Sequence, residues 1–65
     1  MKRTYRIREA IDAKNHDGSH FMLQPGEYFA DKDTEEGDWV AVYIDHRPVV
    51  VSRADFERVA SLVNP

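Results

Sequence analysis

The chain contains no cysteine, which removes two common ways of stabilising a domain of 65 residues. Neither a disulfide framework nor a zinc site with cysteine ligands can form. A domain of this size buries only about 60% of the surface that its unfolded chain exposes. Its stability therefore depends on one small apolar core, and the loss of one large core side chain should be enough to unfold it.

Long apolar runs are absent as well. No stretch approaches the roughly 20 apolar residues that a membrane-spanning helix requires. The first three residues, MKR, resemble the basic start of a signal peptide, but Arg6, Arg8 and Glu9 interrupt the segment where its apolar part should follow. The sequence thus predicts a soluble, cytoplasmic protein with one domain, residues 1–65.

The apolar residues that are present concentrate between residues 38 and 63. Residues 39–44, WVAVYI, are aromatic and β-branched, a composition typical of a strand. Both alternating sets of side chains are apolar, so we expect this strand to be covered on both faces, with Trp39 largely buried. Residues 45–47 predict a turn, and residues 48–51, PVVV, predict the returning strand of a hairpin.

A helix is predicted directly after this hairpin, over residues 53–63. Ser52 is a favourable N-cap residue, and Asp55 supplies negative charge to the first turn, where the helix dipole favours it. A helix this short is marginal alone, so its apolar stripe should pack on the sheet. That stripe has the spacing i, i+3, i+4 and i+7 and consists of Phe56, Val59, Ala60 and Val63.

The first half of the chain predicts three further strands. Residues 4–13 alternate between apolar and polar side chains and indicate a strand that is interrupted at Glu9, by a bulge or an open rim. A helix over residues 6–14 is the alternative, since this segment is rich in helix formers. Residues 20–23 and 27–31 predict the other two strands, separated by glycine-containing turns.

Five short strands followed by a C-terminal helix predict a mainly β fold, either a small five-stranded barrel or a bent antiparallel sheet. Residues 23–56 resemble the central part of bacterial Src-homology-3-like domains. The resemblance is carried by a Leu-x-x-Gly-Glu turn, a polar loop, a Gly-x-Trp strand start and a hairpin. It implies a barrel fold and identifies no ligand. The matching residues are Leu23, Gly26, Glu27, Gly37, Trp39, Val42 and Val51.

Three histidines are the residues most suited to chemistry, and they support a metal site or a small enzyme only weakly. His16 and His20 have the spacing of two metal ligands on a helix, but the intervening Asp17-Gly18 pair indicates a turn. No third ligand is obvious, although Asp17 or the remote His46 could serve. No phosphate-binding loop, dinucleotide fingerprint or activated nucleophile is present. We therefore expect no enzyme, no catalytic residue, no metal and no cofactor.

Charge is separated along the chain, whose net charge is −3. The first eight residues hold only basic charges, whereas residues 27–38 are strongly acidic. We expect a non-enzymatic interaction or regulatory module that binds another protein through Glu35, Glu36 and Asp38. The alternative is a nucleic-acid-binding accessory protein that contacts phosphates with Arg6 and Arg8 of its first strand. Solvated charge at each end, with no binding role, would also explain this pattern.

Overall fold

The structure is a computed structural model that describes residues 2–32 and 37–63. These residues form seven strands and one helix, so the predicted mainly β fold with a helix near the C-terminus is confirmed, with two more strands than expected. The elements are β1 (Lys2–Ile7), β2 (Ile11–Lys14), β3 (His20–Leu23), β4 (Gly26–Asp31), β5 (Trp39–Ile44), β6 (Arg47–Ser52), α1 (Arg53–Val59) and β7 (Ala60–Leu62).

All the described strands belong to one antiparallel sheet with the order β3-β2-β6-β5-β4-β1-β7. The sheet curves around its contents, because the inward side chains of β1 to β6 meet the helix in a single apolar cluster. Phe56 and Val59 of α1 complete this cluster. Its strand members are Ile7, Ile11, Ala13, Leu23, Ala30, Val40, Val42, Val49 and Val51.

The alternating segment near the N-terminus forms two strands, β1 and β2, rather than one. The predicted interruption at Glu9 is confirmed, and the helical alternative is wrong. Ile7, Ile11 and Ala13 lie on the buried face, as the alternation predicts. The break lets the two strands join different parts of the sheet: β1 pairs with β4 and β7, whereas β2 pairs with β3 and β6.

The expectation that β5 is covered on both faces is wrong. Val40 and Val42 point into the core and are fully buried, but Trp39 on the other set is 43% exposed. The helix packs on the inner side of the curved sheet, and no second layer covers the outer side within the described ranges. The apolar side chains on the outer side of β5 therefore form part of the protein surface.

The helix begins as predicted and ends earlier. The Ser52 hydroxyl accepts a hydrogen bond from the Asp55 N–H at 3.1 Å, which confirms the N-cap. The prediction of a helix to residue 63 is wrong, because Ala60 has the extended backbone angles φ −98° and ψ 140°. Residues 60–62 instead form β7, which pairs with β1 and satisfies backbone hydrogen-bonding groups of that strand. The Val63 N–H also donates to the Thr4 carbonyl.

Replacing Ser52 with alanine should lower the free energy of unfolding by about 1 kcal/mol, because the Asp55 N–H loses its acceptor. Urea denaturation measures the change. Ser61→Ala is a matched control, since Ser61 is an exposed serine of β7 without a cap role. Equal stability of the two variants would show that the cap does not contribute.

Among the described residues, no helix combines the length and the apolar character that crossing a bilayer requires.

Candidate functional site

The outer side of the central strands carries a continuous apolar surface, which we call the aromatic face. It consists of Phe29 on β4, Trp39, Ala41 and Tyr43 on β5, and Pro48 and Val50 on β6. The strand register places these side chains in neighbouring rows: Phe29 lies opposite Tyr43 and Tyr43 opposite Pro48, while Ala41 lies opposite Val50. Side chains directly opposite each other on one face are separated by only about 5 Å at Cβ.

Exposure makes this surface a candidate binding site. Phe29 is 58% exposed although its strand lies inside the sheet, between β1 and β5. A single exposed apolar side chain is ordinary, but a contiguous patch in a small protein marks an interaction surface. Aromatic side chains are also enriched among the residues that contribute most to binding energy at protein interfaces.

A groove of about 610 Å³ lies at one end of the aromatic face. Phe29 and Tyr43 line one part of it, and the Asp45-His46 turn between β5 and β6 lines another. Both turn residues have positive φ, 49° and 69°, as two-residue hairpins favour; aspartate is common at the first of these positions, and His46 stands where glycine is usual. The turn therefore holds two polar side chains at the groove.

The aromatic face already contacts a cation within the chain. The Lys2 ammonium group lies 4.1 Å from the centre of the Tyr43 ring, within the range of a cation–π interaction. Asp31 on β4 lies opposite Lys2 on β1 and opposite Ala41 on β5. Glu27, two residues before Phe29, forms an ion pair of 2.8 Å with Arg6. Carboxylates and aromatic rings thus alternate along β4 and at its borders.

Arg53 holds together the two ends of the acidic segment, residues 32–38. Its side chain donates hydrogen bonds to the carbonyls of Lys32 at 3.0 Å, Gly37 at 2.6 Å and Trp39 at 3.4 Å. Its backbone N–H donates to the Asp38 carbonyl at 2.7 Å. Gly37 has φ +64°, a conformation that glycine adopts without strain. Arg53, the first residue of α1, therefore fixes the backbone position at which β5 begins with Trp39.

The structure places the two predicted phosphate-binding arginines in intramolecular contacts. Arg6 pairs with Glu27 on the neighbouring strand. Arg8 donates from its side chain to the carbonyls of Arg58 and Val59, and its backbone N–H also donates to Val59. These carbonyls lie at the C-terminal end of α1, where cations are favourable. Arg8 therefore acts as a cap of the helix.

The predicted acidic binding residues are only partly within the described ranges. Glu35 and Glu36 lie outside the described residues. Asp38 is exposed directly before Trp39, so it borders the aromatic face. The predicted acidic and basic residues are not brought into one site: Arg6 lies on β1 and Asp38 at the start of β5, with β4 between these strands.

The histidines lie in turns and at a strand edge. His20 Nδ1 is 3.0 Å from an Asp12 carboxylate oxygen, and both side chains are more than half exposed. His16 lies in the turn between β2 and β3, and His46 in the turn between β5 and β6. In the part of the chain that the structure describes, no group of three or more histidine, aspartate or glutamate residues could hold a metal ion.

Sequence reasoning missed Phe29 and Arg53. The alternation in residues 27–31 sets Phe29 on the same side of the strand as Glu27 and Asp31, and this position indicates the outer face. Arg53 gave no comparable signal, because its partners are carbonyl groups 14 to 21 residues away in the chain.

Comparison with known protein families, with curated proteins and with solved structures found no match to this chain.

Proposed function

We propose that this domain is a non-enzymatic interaction module that binds a segment of another protein on the aromatic face. The observation that carries the proposal is the exposure of Phe29 in a row with Tyr43 and Pro48. Burial of such rings by a partner would gain about 25 cal/mol for each Å² of apolar surface removed from water. The resemblance to Src-homology-3-like domains stays a prediction and contributes no ligand to this argument.

The partner segment should carry basic side chains beside its apolar ones. Asp31 and Asp38 border the aromatic rings, and Glu35 and Glu36 add negative charge to the sequence between β4 and β5. The Lys2 ammonium above Tyr43 supports this chemistry, because it demonstrates that a cation can sit on this ring. Complementary charge at the border would mainly raise the association rate.

Single-stranded nucleic acid is the second candidate. Exposed aromatic side chains can stack with bases, and Lys2 and Arg3 are exposed on the neighbouring strand. The net charge of −3 and the carboxylates beside the rings oppose a polyanion. The intramolecular contacts of Arg6 and Arg8 also reduce the basic surface on which this alternative depends. These charges favour the protein partner.

Selection of binders from a library of short random peptides tests the proposal. We expect enriched peptides to combine lysine or arginine with aromatic or aliphatic residues. Phe29→Ser should weaken their binding about 30-fold, the equivalent of losing one residue that contributes about 2 kcal/mol. Met22→Ser is the matched control, because Met22 is 52% exposed but lies on β3, away from the aromatic face.

Two results would contradict this function. Equal peptide binding by the Phe29→Ser and Met22→Ser variants would exclude the aromatic face as the docking surface. Micromolar binding of mixed-sequence single-stranded oligonucleotides, lost in Phe29→Ser and weakened by salt, would instead support the nucleic-acid alternative. Thermal melting of both variants checks that the fold is retained.

A further inference from the structure

A second groove, of about 730 Å³, lies at the end of the β5–β6 hairpin that is remote from α1. The helix follows Ser52, which pairs with Trp39 at one end of this hairpin, whereas the groove is lined by Ile44, Arg47, Pro48 and Val49 at the other end. The turn between β2 and β3 forms its opposite wall. The groove is thus at the open end of the curved sheet, a place where β folds commonly bind small molecules.

The floor of this groove is apolar and continuous with the core. Phe21 and Ile44 are half-buried and pack against the core cluster, and Val49 belongs to that cluster. Pro48 is exposed at the side. A ligand with an aromatic ring or short alkyl chain would cover the exposed parts of these side chains without any rearrangement of the core. The volume is within the usual range of small-molecule sites, about 300–1,000 Å³.

Charge at the rim selects the polar end of the ligand. The Arg47 side chain is exposed and makes no ion pair or hydrogen bond with any residue that the structure describes. A guanidinium group can bind a carboxylate through two parallel hydrogen bonds. Arg47 is therefore placed to bind an anionic group at the edge of an apolar floor.

Asp17, on the opposite wall, limits the charge of the ligand. The Ser19 hydroxyl and the Ser19 backbone N–H both donate to this carboxylate, at 2.6 and 2.9 Å, and they lower the pKa of Asp17 below its usual value. The carboxylate is therefore negative at neutral pH. A run of negative charges across the groove, as in nucleic acid or an acidic peptide, is therefore disfavoured by this carboxylate.

We propose that this groove binds a small amphiphilic carboxylate, with its apolar part on Phe21, Ile44 and Pro48 and its carboxylate on Arg47. The site shares Pro48 with the aromatic face, but its floor differs from that face, because Phe21 and Val49 belong to the inner side of the sheet.

A titration with phenylpropionate, followed by two-dimensional NMR of the backbone amides, tests the site. We expect saturable shifts centred on Phe21, Ile44 and Val49. Phenylpropionamide, which has the same shape but no charge, should bind about tenfold more weakly, the effect of losing one charge-assisted contact at a solvated rim. Arg47→Gln should remove this difference between the two probes, and Arg3→Gln, which removes an exposed arginine on β1, should preserve it.

The Phe29→Ser variant separates this site from the proposed function. Because Phe29 lies on the outer side of the sheet, its replacement should leave phenylpropionate binding unchanged. The proposal is overturned if the shifts do not saturate, if the acid and the amide bind equally, or if Arg47→Gln has the same effect as Arg3→Gln. Shifts that centre on Phe29 and Tyr43 would also overturn it, since they would assign the ligand to the aromatic face.

Discussion

Replacing Phe56 with alanine should unfold the domain at room temperature. Phe56 is 1% exposed, and its ring makes an edge-to-face contact with Tyr5 at a centroid distance of 5.0 Å. Removal of a buried phenylalanine side chain costs about 3–5 kcal/mol. A core of this size supplies about the same total stability. The variant should therefore lack the dispersed amide NMR spectrum of a folded protein without denaturant.

Phe56→Leu keeps this prediction measurable, because leucine retains most of the apolar volume. It should remain folded and lose about 1 kcal/mol in urea denaturation. Trp39→Ala is the second comparison: with 43% of Trp39 exposed, its replacement should cost about 1–2 kcal/mol. A larger loss for Trp39→Ala than for Phe56→Ala would show that the tryptophan, and not the helix phenylalanine, is the principal core aromatic.

The position of Trp39 shows which part of the fold a sequence pattern can predict. The composition of residues 39–44 correctly predicts a strand, because β-branched and aromatic residues favour extended backbone. The same composition also predicts, wrongly, that both faces are covered. A strand with one exposed apolar face can have the same apolar pattern as a fully buried strand. Only the arrangement of α1 on the inner side distinguishes the two cases.

The C-terminal segment illustrates a second limit. The spacing of Phe56 and Val59 correctly predicts the helix, and Ser52 correctly marks its start. Ala60 also fits the helical stripe, yet residues 60–62 form β7 because the edge of β1 offers backbone partners. Pairing between two segments that are far apart in the chain can override local helix propensity, and no local sequence pattern records it.

In the candidate sites, too, local patterns are visible in the sequence and tertiary contacts are not. Alternation identifies the outer position of Phe29. The turn predicted at residues 45–47 includes the two residues that form it, 45 and 46, although Arg47 already belongs to β6. The sequence does not show that Arg6 and Arg8 are engaged within the chain, because Glu27 and the carbonyls of α1 reach them only after folding. Charge along a sequence therefore overestimated the basic surface that is available to a partner.

Replacing Arg53 with alanine should destabilise the domain by about 2 kcal/mol. The guanidinium group donates to the carbonyls of Lys32, Gly37 and Trp39, and hydrogen bonds that involve a charged group contribute about 1.5–3 kcal/mol. We take the lower part of this range because two of the three bonds are exposed to water. Arg53→Lys should recover only a small part of the loss, because an ammonium group lacks the planar fork that spans three acceptors.

Urea denaturation and amide hydrogen exchange check this prediction together. Exchange should accelerate at the backbone N–H of residue 53, which donates to the Asp38 carbonyl, in Arg53→Ala by more than the global loss of stability explains, because the two ends of the acidic segment lose their common support. Arg47→Ala is the matched control and should change stability by less than about 0.5 kcal/mol, since Arg47 makes no contact of this kind in the described chain. If Arg53→Ala and Arg47→Ala prove equally stable, the Arg53 hydrogen bonds do not hold this end of the aromatic face in place.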